Sequence, residues 1–161
     1  MYTALQVADW FRNAVDRGAG DSITHLKLQK LVYYAQAWAL VLLGRPLFAE
    51  DVQAWAHGPV TPSVWRHFKD QRWESLPPAQ QVVEFDDATE ELLRDVMTSY
   101  GERSGTALED LTHSEEPWIR ARNGLPVEAR STAIIPKEHM RRFYGDLYAR
   151  IEEERGADGG R

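Results

Sequence analysis

From Leu31 to Leu43 the chain runs thirteen residues with one polar interruption, Gln36. Leu28, Leu31, Val32, Ala35, Trp38, Ala39 and Leu42 recur at helical spacing and cover more than one face. A helix that is apolar around so much of its circumference needs other elements wrapped about it. The run is too short to cross a bilayer, which takes about 20 apolar residues. It therefore predicts a buried central helix over about 25–43. Thr24 is placed to cap its start, and Gly44-Arg45-Pro46 stops it.

The remaining sequence supplies the wrapping. Thr3 and Gln6 make a capping box for a first helix whose stripe is Ala4, Val7, Ala8, Phe11 and Val15. Asp51 to Val60 alternates apolar and polar residues, the period of a short extended segment, and Gly58-Pro59 turns the chain. Thr61-Pro62 opens a helix to about Lys69. Asp87 with Glu90, and Thr106 with Glu109, read as two further capping boxes. Ser114 and Pro117 open a short helix that ends at Asn123-Gly124, and Pro136 opens the last one, striped by Met140, Phe143, Leu147 and Ile151. With 161 residues this is one domain's worth of chain. The expected fold is mainly α: a single compact domain of six or seven helices around the 25–43 helix, with at most a short extended element near 51–60. The domain spans 1–153, and a flexible tail covers 154–161.

Charge and composition narrow the function. The chain has no cysteine, which excludes disulfides, cysteine-ligated metals and a cysteine nucleophile. Nothing at the N-terminus reads as a secretory signal, so the expected location is cytoplasmic. The net charge of −6 is concentrated in residues 84–116, which carry eleven acidic and two basic residues. Such a balance disfavours nucleic-acid partners, and no membrane partner is expected. The acidic segment reads as helix caps and solvated faces, or as a surface for a basic partner.

Catalytic signatures are missing. There is no phosphate loop, GxSxG elbow or HExxH, and none of His25, His57, His67, His113 and His139 pairs with another at i+3 or i+4. The paired carboxylates Asp86-Asp87, Glu90-Glu91 and Glu115-Glu116 sit near helix starts, where the macrodipole favours negative charge. No catalytic residue, metal site or cofactor is expected.

Three blocks carry more information: Ile23 to Trp38, containing LKLQKLVYYAQAW; Pro46-Leu47-Phe48 with AWAHGPV at 54–60, followed by Trp65 and Phe68; and LTHSEEPW at 111–118. In order and spacing they resemble the Panacea domain, or SocA-like antitoxin, family over about residues 5–145. Val64-Trp65 stands where the family often has tyrosine. The resemblance implies a mainly helical cytoplasmic antitoxin of a bacterial or phage type II toxin–antitoxin pair. It implies direct binding of a protein toxin, encoded nearby, and occlusion of the toxin's active or substrate-binding site. One branch of the family resembles an adaptor that delivers the toxin to a cellular protease. Many members carry an additional module, and this chain resembles the bare domain. A small hydrolase that reverses the toxin's modification, using His57, His113 and a carboxylate, is the enzymatic alternative.

The family-motif residues are Leu28, Gln29, Lys30, Leu31, Tyr33, Tyr34, Trp38, Trp55, His57, Gly58, Pro59, His113, Pro117 and Trp118. Polar residues among apolar neighbours must be hydrogen-bonded, so the cluster is expected to fix one packing arrangement. His57 and His113 are expected to orient the Gly58-Pro59 turn and the Pro117 helix start against the central helix. Trp38 and Trp118 are expected in the core. Candidate toxin contacts are Trp65, Arg66, Lys69, Arg72 and Trp73, a tryptophan-and-cation composition common at interface hot spots. To these the acidic segment adds Asp86, Asp87, Glu90 and Glu91.

Overall fold

The computed structural model describes residues 1–71 and 73–159. Its centre is the expected helix, α2 in a numbering that starts with α1 (Ala4–Ala14) and α2 (His25–Leu42). α1 begins as its sequence dictates. The Thr3 side chain accepts from Gln6 N, and the Gln6 side chain accepts from Thr3 N. Ala4, Val7, Ala8 and Phe11 face inward from it. Thr24 caps α2 by accepting from Lys27 N. Leu28, Leu31, Val32, Tyr33, Tyr34 and Ala35 are all buried. Trp38 is half-buried and Leu42 is exposed, and both line an open surface cleft.

Gln36, the one polar interruption, is buried and fully used. Its Oε1 accepts from Leu47 N at 2.8 Å and its Nε2 donates to Phe48 O at 2.8 Å. It thus fixes the return of the chain after Gly44, whose φ of +68° suits glycine.

The extended segment becomes a hairpin, β1 (Val52–Trp55) and β2 (Gly58–Val60), with Trp55 opposite Gly58. Ile134–Ile135 adds a third antiparallel strand, β3, in the order β2-β1-β3. The sheet is therefore larger than the expected short element near 51–60. The sequence shows the Ile134-Ile135 pair, but its partner lies some eighty residues earlier.

The remaining helices are α3 (Pro62–Phe68), α4 (Asp87–Tyr100), α5 (Gly105–His113), α6 (Glu116–Arg122) and α7 (Lys137–Gly159). Two of the expected caps shift. α4 is capped by Asp86, whose Oδ1 accepts from Thr89 N, and α5 by Ser104, whose Oγ accepts from Ala107 N. Ser114 closes α5 instead of opening α6: its hydroxyl donates to Leu111 O. α7 continues to Gly159, past the residue at which the tail was expected to start. α2 packs against α1, α4, α5 and α7, so the wrapping is complete on several sides. The result is a mainly helical single domain with seven α-helices among the described residues. No helix among those residues is long and apolar enough to cross a membrane.

Candidate functional site

The motif residues meet where the β1–β2 turn crosses α2. Lys30 is fully buried there, and its Nζ donates to Pro59 O at 3.1 Å. The chain can approach this closely because residue 58 is glycine. Its φ is +106°, and a Cβ would lie 2.7 Å from Lys30 Cε and 2.9 Å from Thr112 Oγ1. Gln29 closes the same corner. Its Oε1 accepts from Thr61 N at 3.1 Å, and its Nε2 lies 3.0 Å from His25 Nε2. Burial lowers the Lys30 amine to about 7, against the pull of Glu109. Burial and the nearby Lys30 charge lower His25 to about 4.

The two motif histidines do different things. The His57 side chain is 80% exposed, and its Nδ1 lies 2.7 Å from Glu109 Oε1. Its backbone belongs to the turn, but the buried anchor of the turn is Lys30. His113 stacks on Trp118 with ring centroids 4.0 Å apart, and its Nε2 is 4.0 Å from Glu109 Oε1. Desolvation lowers its pKa, partly offset by Glu109. Pro117 and Trp118 are buried at the start of α6, and Trp118 Nε1 donates to Trp55 O at 2.8 Å.

A second cluster lies one turn further along the same face of α2. Tyr33, Tyr34 and Tyr144 are buried with Glu115. Tyr34 donates to Glu115 Oε1 at 2.7 Å, and the Tyr144 hydroxyl is 2.9 Å from the same oxygen and 3.0 Å from the Tyr33 hydroxyl. Tyr144 has one proton; it goes to the carboxylate, the stronger acceptor, and Tyr33 donates to Tyr144. Burial raises the Glu115 carboxyl, and the two tyrosine hydroxyls pull it back. Trp38 Nε1 donates to Tyr100 OH at 2.8 Å, and Tyr100 stacks on Tyr34 at 4.0 Å.

Sequence reasoning missed Glu115, Tyr100 and Tyr144 as partners of the Tyr33-Tyr34 pair. Arg122 was missed as well. It is buried over the Trp118 ring and donates to the carbonyls of Ala54, Pro126, Val127 and Ala129, which fixes the 123–130 loop. A usable signal existed for Arg122: it sits one residue before an Asn-Gly pair, where a helix end leaves carbonyls without partners.

Beside the buried Lys30 corner lies an open cleft of about 600 Å³. Trp55, Trp65 and Trp73 line it with Leu26, Val60 and the polar residues His57, Lys69, Asp70 and Glu109. Trp73 is 77% exposed and Trp65 37%. The Trp55 and Trp65 rings are 5.4 Å apart, and Lys69 Nζ stands 5.8 Å from the Trp65 centroid. The cleft thus unites Trp65, Lys69 and Trp73 of the expected contacts with Gln29, Lys30, Trp55 and His57 of the motif. Arg66 is exposed on α3 but does not line the cleft, and Arg72 lies outside the described residues.

The acidic candidates are elsewhere. Asp86 caps α4 and accepts from Tyr2 OH at 2.7 Å; these hydrogen bonds hold its carboxyl well below the usual range. Glu90 accepts from Trp10 Nε1 at 3.2 Å and pairs with Arg94. Asp87 and Glu90 line a different cleft with Trp10 and Phe85, and Glu91 is exposed on α4. No group of His, Asp and Glu among the described residues is arranged to hold a metal ion.

The sequence matches the family profile "Antitoxin SocA-like, Panacea domain" over residues 28–119, more than half of the chain. It is also 50% identical over 46 residues to Antitoxin SocA of Caulobacter vibrioides (strain NA1000 / CB15N), covering 29% of this chain and 24% of that protein. The match thus spans about a quarter of the length of that relative. No solved structure matches the chain. The matched stretch runs from α2 to α6 and contains the Lys30 corner and the three tryptophans of the cleft. The chain belongs to the SocA-like antitoxin family and carries its Panacea domain.

Proposed function

We propose that this protein is an antitoxin that neutralises a protein toxin by binding it directly and covering its active or substrate-binding site. The observation that carries the reading is the open tryptophan cleft built on the family-motif residues. Trp73 is 77% exposed, a burial deficit that a partner surface removes. Tryptophan is among the residue types most enriched at interface hot spots. The cleft rests on a rigid corner, with Lys30, Gln29 and Gly58 locking α2 to the hairpin, so little ordering cost accompanies binding.

The toxin is the product of a neighbouring gene, and both proteins act in the cytoplasm. The test is co-expression of the tagged chain with that gene product, followed by size exclusion with light scattering. A stoichiometric complex, with the neighbour lethal when expressed alone, is the expected result. Rescue from toxicity without any complex overturns direct occlusion and favours removal of the toxin through a protease, or reversal of its modification.

A further inference from the structure

The tryptophan cleft holds charges of both signs, but they are balanced. Lys69 adjoins Asp70 in sequence, and Lys30 lies beneath the floor close enough to Glu109 for the carboxylate to act on its amine. Glu109 is also engaged by His57. An anionic occupant would meet Glu109 and Asp70, and a cationic one would meet Lys69 and Lys30. The formal charges of the lining, Lys30 and Lys69 against Asp70 and Glu109, cancel, so the cleft favours neither sign. What the cleft does lack is apolar cover: Trp65 and Trp73 stay exposed in it, and Leu26, Val60 and Trp55 also line it.

The strongly acidic surface, by contrast, lies outside this cleft. Asp86 and Glu90 are spent on helix capping, on Tyr2, on Trp10 and on Arg94.

We propose that the cleft receives an uncharged segment of the toxin, which inserts a bulky aliphatic or aromatic side chain between Trp65 and Trp73. This inference rests on the antitoxin reading and names the chemistry of its contact. The association is then held by apolar burial and is nearly indifferent to salt. An acidic face steering onto a basic toxin would instead weaken steeply as salt rises.

The experiment is calorimetric titration of the full chain with the purified neighbouring gene product at 50 mM and 500 mM NaCl. It is repeated with Trp65→Ala, Trp73→Ala, Trp73→Phe and the double variant Asp87→Asn/Glu91→Gln. Trp65 and Trp73 are exposed at 37% and 77%, so the alanine variants fold, and a thermal melt checks this. The expected result is a Kd weakened ~30-fold or more by each alanine variant, as for hot-spot residues. Trp73→Phe recovers most of the loss, and the wild-type Kd changes less than about threefold between the two salts. A complex that ignores both tryptophan substitutions overturns the inference while leaving the antitoxin reading in place. A Kd that rises steeply with salt and tracks the Asp87/Glu91 variant does the same. Absence of any complex overturns the reading on which the inference stands.

Discussion

Lys30 and Gly58 are one unit, and each explains the other. A lysine is almost never fully buried without a partner. Here the Pro59 carbonyl is that partner, within reach because Gly58 has no side chain to stand between them. Gly58→Ala places a methyl 2.7 Å from Lys30 Cε in a left-handed backbone conformation. It is expected to cost about 2 kcal/mol or more of stability, measured by urea unfolding. A cost below about 0.5 kcal/mol would show that the corner yields easily. The buried amine also makes stability depend on pH. Unfolded, Lys30 keeps its proton up to 10.5, whereas folded it releases it near 7. Between these values the unfolded chain binds more protons, so stability rises with pH, by up to about 1.4 kcal/mol per unit. Lys30→Met is expected to flatten that rise, and an unchanged slope in the variant would assign it to other groups. The sequence singled out both residues through the motif, yet it gave the turn to His57. Periodicity places Lys30 on α2 but does not show which carbonyl, 29 residues later, arrives above it.

At the level of elements, the long helix was legible because its signal is local and strong: an apolar run, a threonine before it and a glycine-proline stop after it. Helix starts near the acidic segment were less legible. Four candidate caps crowd Asp86, Asp87, Ser104 and Thr106, and which one works depends on the direction from which the loop enters. Asp86 wins at α4 because Tyr2, delivered by the N-terminal bridge to Phe48, donates to it as well. Asp86→Ala is expected to lower stability by about 1 kcal/mol, while Asp87→Ala costs a few tenths at most. Denaturant midpoints of the two variants compare them directly, and equal losses would place the cap elsewhere. The last helix shows the opposite balance. Met140 and Tyr144 anchor its first half, but residues 152–159 are exposed throughout. The Arg155–Glu152 pair is a solvated surface contact that contributes little. Removing residues 153–161 is therefore expected to leave the melting temperature within about 2 °C of the full chain. A larger drop would mean that the distal turns of α7 support the body.

The whole molecule is tied together by a polar network that no local pattern announces. Tyr33 and Tyr34 come from α2, Tyr100 from the end of α4, Glu115 from the junction of α5 and α6, and Tyr144 from α7. Read singly, each looks like an aromatic core residue or a helix cap; together they give one buried carboxylate two hydroxyl donors. The network continues the face of α2 that carries Lys30, one turn further on, while Gln36 grips the chain from another face, so directional contacts on two faces of α2 select one packing of the helices around it. Glu115→Ala leaves the Tyr34 and Tyr144 hydroxyls buried without an acceptor, and the expected loss is about 3 kcal/mol. Glu115→Gln keeps an acceptor oxygen and removes the buried charge, so its loss is expected to stay near 1 kcal/mol. Because the network joins elements from both ends of the chain, tryptophan fluorescence and far-UV circular dichroism should report a single coincident transition in the wild type. Glu115→Ala should lower the midpoint of both signals together. If instead the two signals separate, α7 unfolds on its own and the network is only a local support for it.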